Sequence, residues 1–253
     1  MKKRAVKKVL FLIAIMFVSF YTIGHAQPMG VDLNLSVGGE QSPSEYVGNI
    51  KLLFLLTFLT FIPAIVLLTT SFTRIVIVFG FTRTALSTQQ SPPNQVIIAL
   101  ALFMSLFIMT PVYKEVNTTA IQPYVEGKLN YEQAIGVGSK PIKNFMLNQT
   151  REKDLALFYK STDLKKPQER YDVPFTVLVP AFAISEIKTA FQMGFLIFVP
   201  FIVIDMIVAS VLMSMGMMML PPVTVSLPFK ILFFVLADGW HLVVKSLLES
   251  FAR

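Results

Sequence analysis

Four places in this 253-residue chain carry residue types that could do chemistry. Ser185-Glu186-Ile187-Lys188 matches S-x-x-K, a spacing at which one helical turn brings a lysine amine towards a serine hydroxyl as general base. No companion motif or oxyanion loop accompanies it, so a Ser/Lys protease is a weak reading. Asp205 is an acid amid apolar residues. Such a carboxylate is either a proton relay or a structural partner for a base, here expected on an adjacent subunit. Of the two histidines, His25 belongs to a signal-peptide pattern at the amino terminus and is lost with it, so a zinc site at His241 would need carboxylates alone beside it. Gly136-Val137-Gly138-Ser139-Lys140 lacks the P-loop spacing and follows no strand pattern, which makes it a turn rather than a phosphate cradle. There are no cysteines, which excludes thiol nucleophiles, disulfides and cysteine metal sites. The expectation is a protein with no catalytic residues, no cofactor and no metal.

The elements that must hold these residues are oily. Hydrophobic residues make up 54% and charged residues 15%, with a mean hydropathy of +0.65, against roughly 25% charged in an ordinary soluble domain. This is the composition of a membrane protein. The net charge of +7 would suit nucleic acid, but Lys2, Lys3, Arg4, Lys7 and Lys8 precede an apolar run from Val9 to Ile23 and then Gly24-His25-Ala26. That pattern predicts a cleavable signal peptide over residues 1–26. Its removal leaves 17 basic and 15 acidic residues, so no nucleic-acid partner is expected.

Residues 27–51 read as an irregular exported tail, rich in Gly, Ser, Pro and Asn. Leu52 to Thr73 is uncharged for 22 residues, long enough to span a bilayer, with Pro63 expected to kink it. A loop is predicted over 74–95, carrying Arg74 and Arg83, no acid, and a Pro92-Pro93 helix stop. A second apolar segment, Val96 to Val112, is expected to end at Pro111 and complete a first hairpin over 52–112. With the amino terminus exported, the loop lies in the cytoplasm, as the positive-inside rule expects. Residues 113–174 hold ten basic and eight acidic residues and predict a small exported helical domain. There Ser139 could cap a helix with Pro141 near its first turn, and Thr150 could cap the next. A second hairpin is predicted over 175–253.

The tip of that hairpin, residues 213–219, contains Met213, Met215, Met217, Met218 and Met219. Pro221 and Pro222 follow as a helix stop, with a last helix leaving from Pro228. Methionine is flexible and polarizable, so such a cluster suits a pliable seal. Glu186, Lys188 and Asp205 are expected as buried charges. Lys230, Asp238, His241, Lys245 and Glu249 fall within an arc of about 100° on the otherwise apolar last helix. They predict a polar stripe for intersubunit pairing or beside a hydrated conduit.

Three stretches together resemble one family: FGFTRTALSTQQSPPNQVIIALALFMSLFIM (79–109), VPAFAISEIKTAFQMGFLIFVPFIVIDMIVASVLMSMGMMMLPP (179–222) and VSLPFKILFFVLADGWHLVVKSL (225–247). They are similar to the FliP/SctR family of type III secretion export-gate subunits, from about residue 45 onward. The resemblance implies an all-α membrane protein of kinked helical hairpins, assembled as a homo-oligomeric pore with FliQ and FliR, with partners extending to FlhA and FlhB. It implies a multi-pass, non-enzymatic subunit of the inner membrane in the flagellar basal body, conducting unfolded flagellar subunits past a methionine gasket. Ser87 stands where the family usually has Gly. Two alternatives stay open: the equivalent subunit of a virulence injectisome, and a proton-coupled transporter using Asp205 and the polar stripe. The signal peptide favours the flagellum.

Overall fold

The computed structural model of the chain describes residues 43–88, 90–161, 170–217 and 219–252. The signal peptide expected at 1–26, residues 27–42 of the expected tail, and Met218 lie outside the described residues; residues 43–51, expected to belong to an irregular tail, are helical instead, Pro43 opening a helix in whose first turn a proline costs no hydrogen bond. Among the described residues the regular elements are helical: α1 (Pro43–Leu68), α2 (Phe72–Ala85), α3 (Asn94–Val116), a π-helical turn (Asn117–Ile121), α4 (Gln122–Val125), α5 (Tyr131–Gln149), α6 (Glu152–Lys160), a 3₁₀ turn (Arg170–Asp172), α7 (Phe175–Ser214), α8 (Pro222–Leu236) and α9 (Gly239–Phe251).

The chain divides into two compact units, Met1–Leu59 and Thr60–Arg253. In the first, the described part is the amino-terminal length of α1, along which Leu53, Phe54, Leu55, Phe58 and Leu59 are exposed. In the second, the 40-residue α7 is the spine. One core cluster packs Ile75, Val78 and Phe79 of α2 with Ile97 and Ala101 of α3, Ala190 of α7, and Val243 and Leu247 of α9. A second joins Met146 and Leu147 of α5 to Tyr159 of α6 and to Val177, Leu178 and Phe182 of α7. A third sets Ala85 and Leu86, at the end of α2, against Phe201 of α7 and Phe234 of α8.

Among the described residues, three helical stretches are long and apolar enough to cross a membrane: Ile50–Leu68, Asn94–Val125 and Phe175–Ser214. A fourth exists if α8 and α9, bent by 61° at their junction, count as one. Pro111 does not end the second segment as expected. It lies inside α3, and the helical path continues through the π turn, where Gln122 N–H reaches back to Asn117 O. A proline inside a membrane-grade helix is tolerated when such local adjustment satisfies the freed backbone groups.

Several expected boundaries move, each for a local reason. The loop predicted at 74–95 is helical to Ala85, because Ile75, Val78, Phe79, Thr82 and Ala85 present a buried face at helical spacing; the connection is only Leu86 to Pro93. Neither proline pair stops the preceding helix. Pro93 is the N-cap of α3, and Pro221 and Pro222 are the N-cap and first residue of α8, where a missing N–H costs nothing. The last helix pair therefore starts at Pro222, with Pro228 inside α8. What ends α7 is Gly216 at φ 73°. Its N–H reaches Met213 O at 3.0 Å and Met217 N–H reaches Leu212 O at 3.0 Å, the paired bonds of a Schellman motif.

Within residues 113–174, Thr150 is the C-cap of α5, Ser139 and Pro141 are interior, and the Gly136–Lys140 run expected as a turn is helical with them. The cap is Asn130: Gln133 N–H donates to its Oδ1 at 2.8 Å and Asn130 N–H donates to Gln133 Oε1 at 3.1 Å, a capping box. The helix expected to carry a continuous polar stripe is broken. Asp238 adopts the left-handed conformation at φ 49°, and Gly239 lies so close to the Phe234 ring that an added Cβ would come within 2.2 Å of it. The helical wheel that lined up Lys230 with Asp238, His241, Lys245 and Glu249 does not hold across this break.

Candidate functional site

Four charged residues of the long helices, Arg74, Glu186, Asp205 and Lys230, are gathered in two joints centred on α7. In the first, Arg74 is 2% exposed and Glu186 fully buried. Arg74 Nε donates to Glu186 Oε2 at 2.9 Å and Nη2 donates to Oε1. Nη2 also donates to Gln149 Oε1 at 3.0 Å, and Nη1 donates to Ser250 Oγ at 2.8 Å and Ser250 O at 3.2 Å. All five guanidinium N–H groups are thereby engaged, and the guanidinium carbon stands 3.8 Å from the centre of the Phe251 ring. One side chain ties α2, α5, α7 and α9 together. The charge read as a cytoplasmic loop residue is thus a buried cross-brace.

Beside it, Ser185 Oγ donates to Asp154 Oδ2 at 2.6 Å and accepts from Arg151 N–H at 3.1 Å. The Arg151 side chain continues the chain of contacts to Thr189 Oγ1 and Gln192 Oε1. The serine of the S-x-x-K motif is therefore held by groups other than its lysine. Lys188, expected among the buried charges, is exposed, because its position on α7 turns away from the face that carries Ser185 and Glu186. The motif supplies a clamp between α6 and α7, not a nucleophile with its base.

In the second joint, Lys230 of α8 is 2% exposed and donates from Nζ to Asp205 Oδ2 at 2.6 Å and to Ser87 Oγ at 2.8 Å. Ser226 Oγ donates to Asp205 Oδ1. Asp205 keeps 29% exposure, and its basic partner stands in its own chain. This joint holds together the α2–α3 turn, α7 and α8. Of the expected stripe, only Lys230 belongs to it; Asp238, His241, Lys245 and Glu249 are exposed on the far side of the bend, with Lys245 and Glu249 3.9 Å apart.

Between α7 and α8, beyond this joint, lies a wholly apolar cleft of about 450 Å3 lined by Ile204, Ile207, Val208, Val211 and Phe229 among others. At the turn that joins the two helices Met213, Met215 and Met219 are exposed, Met219 at 97%. Met217 is half-buried. Among the described residues no group of three or more His, Asp or Glu side chains could hold a metal ion.

A family model described as the FliP family matches residues 55–247, a range that contains both joints apart from Ser250 and Phe251, together with the methionine tip. The chain belongs to the FliP family. It is similar to flagellar biosynthetic protein FliP of Bacillus subtilis (strain 168), 56% identical over 86% of this chain and 98% of the relative. It is also similar to the proteins of that name from Buchnera aphidicola subsp. Acyrthosiphon pisum (48% identical, 98% of this chain, 66% of the relative) and Caulobacter vibrioides (49%, 87% and 82%).

Within this FliP-family chain, sequence reasoning found Glu186, Asp205 and Lys230 but missed what each of them meets. Gln149, Ser226, Ser250 and the structural part of Arg74 carry no local signal. Each is an ordinary polar residue until the fold sets it opposite a charge.

Proposed function

We propose that the chain is a core subunit of the flagellar type III protein export gate, several copies packing round a common axis to form a pore for unfolded flagellar subunits in the inner membrane. In this reading it is non-enzymatic and multi-pass, takes no cofactor, and assembles with FliQ and FliR next to FlhA and FlhB. Its organisation is a signal peptide (1–26), an exported tail that gives way to α1 at Pro43, a first hairpin running from α1 to the end of α3 at Val116, an exported helical domain up to residue 174 and a second hairpin (175–253), the hairpins kinked. Met213, Met215, Met217, Met218 and Met219 form the gasket. Exposed Asp238, His241, Lys245 and Glu249 face neighbouring copies or hydrated surfaces.

The observation that carries the reading is the pairing of an exposed methionine tip with charge satisfied internally behind it. Arg74, Glu186 and Lys230 are neutralised inside the chain, so the flanks of α3, α7 and α8 offer apolar surface to lipid or to further copies, while the tip offers soft side chains to whatever lies on the axis. Hydrophobic side chains at a constriction exclude water and ions until displaced. The proton-transporter reading is weaker, because both Asp205 oxygens are already taken by Lys230 and Ser226. The test replaces the five methionines by alanine in the full chain and measures ion leakage across the inner membrane alongside native mass of the complex. Leakage should rise while the assembly persists; a membrane as tight as before with normal export would sink the gasket.

A further inference from the structure

Ser87 is the residue that follows the C-cap of α2, and its backbone lies in the left-handed region at φ 58°. That geometry lets its N–H reach Thr84 O at 2.9 Å, as helix ends commonly do with glycine. A side chain here is strained relative to glycine. Yet Ser87 Oγ accepts a hydrogen bond from Lys230 Nζ, 143 residues further on. Lys230 is almost wholly buried, and among the described residues its polar partners are Asp205 and Ser87.

The turn behind Ser87 is braced as a unit. Thr88 Oγ1 donates to Ser91 O at 2.6 Å, and Arg83 Nη1 donates to Pro92 O at 3.3 Å and to Asn94 Oδ1. Below it, Ala85 and Leu86 rest on Phe201 and Phe234. The hydroxyl is the directional element on an otherwise greasy seat. Apolar packing alone permits sliding, whereas a hydrogen bond to a buried ammonium fixes one register.

We propose that Ser87 is a positioning residue: its hydroxyl, held out by the left-handed turn, locks the α2–α3 connection onto the Asp205–Lys230 pair and so fixes the stance of the α7–α8 hairpin that carries the methionine tip. This rests on the pore reading above. Removing the hydroxyl costs Lys230 a charge-assisted bond, which shifts the ratio of docked to undocked turn by about tenfold.

The experiment compares Ser87→Gly and Ser87→Asn in the full chain within its complex, reading ion leakage per assembled complex in inner-membrane vesicles, with the five-methionine alanine variant alongside. Ser87→Gly relieves the backbone strain but deletes the hydroxyl, so leakage per complex should rise despite an easier turn. Ser87→Asn tolerates the left-handed backbone and presents an amide oxygen to Lys230, and should stay near the parent. A Ser87→Gly complex as tight as the parent, beside a leaking methionine variant, overturns the proposal and leaves the pore reading standing. A lower amount of complex with unchanged leakage per complex also overturns it, since that is a purely structural effect. If the methionine variant is tight as well, the seal itself falls and the proposal with it.

Discussion

Arg74 and Glu186 lie 112 residues apart in the chain and meet in a two-pronged ion pair with almost no exposure. A buried pair of this kind adds little net stability against an apolar replacement, since both ions are desolvated, but breaking it strands the survivor. Arg74 also satisfies Gln149 and the carboxyl-terminal turn of α9, so its removal frees acceptors on two further helices.

Glu186→Ala and Arg74→Ala are each expected to destabilise the chain by about 3–5 kcal/mol, seen as loss of folded protein in detergent and of membrane-inserted chain in cells. Arg74→Lys should not restore it, because an ammonium lacks the planar fork that serves Glu186, Gln149 and Ser250 together. Wild-type melting behaviour in Arg74→Lys would contradict the cross-brace.

The Asp205–Lys230 pair should behave more mildly from one side than the other. Lys230→Met leaves Asp205 with Ser226 and 29% exposure to solvent or headgroups, whereas Asp205→Asn leaves a buried ammonium with neutral partners only. Asp205→Asn is therefore the more damaging change, and adding Lys230→Met to it should recover part of the loss, a coupling of about 1–3 kcal/mol in a double-mutant cycle. Additive effects would mean that the two residues do not work as a pair. If proton flux vanished in Asp205→Asn while the complex stayed intact, the transporter reading would gain.

Asn130 opens α5 with a reciprocal capping box. Asn130→Ala should lower stability by about 1 kcal/mol, and Asn130→Ser should recover most of it. Because the effect is local, amide exchange should quicken in the first turn of α5 and leave α7 unchanged.

Tyr159 is 8% exposed, and among the described residues its hydroxyl has no hydrogen-bond partner. Tyr159→Phe should be neutral or stabilising by up to about 1 kcal/mol, since it removes a desolvated polar group and keeps the ring against Val177 and Phe182. Burial pushes the phenol above its ordinary value of 10.0. Stability is thus unaffected below pH 10.0 and is lost as pH climbs past it, because the unfolded chain releases this proton first. Alkaline unfolding of Tyr159→Phe should be shifted upwards; an identical alkaline limb would show that the ring is not buried in solution.

The membrane character, the helical class, the methionine tip and the family were legible in the sequence because each is written locally: an uncharged run, a helical spacing, a cluster, a shared motif. Glu186 and Asp205 were also visible as anomalies, charges where the surroundings are oil. Their partners were not. Nothing near Arg74 says that it folds inward to Glu186, and a positive residue between two apolar runs looks like a loop until tertiary packing neutralises it. Boundaries failed where two local signals competed: the proline pairs were read as ends of one helix when they open the next, and Gly216, not Pro221, halts α7.

The polar stripe shows the limit most sharply. A helical wheel assumes one axis, and the left-handed turn at Asp238 with Gly239 pressed against Phe234 gives two. Composition and spacing marked Glu186 and Asp205 as charges amid oil and set soft side chains between two apolar runs, yet they counted exposed Lys188 with the buried charges and left buried Arg74 in a loop. Only the folded chain decided who shelters whom, because a buried charge chooses its partner by distance in space, and that distance exists only after helices far apart in sequence have packed.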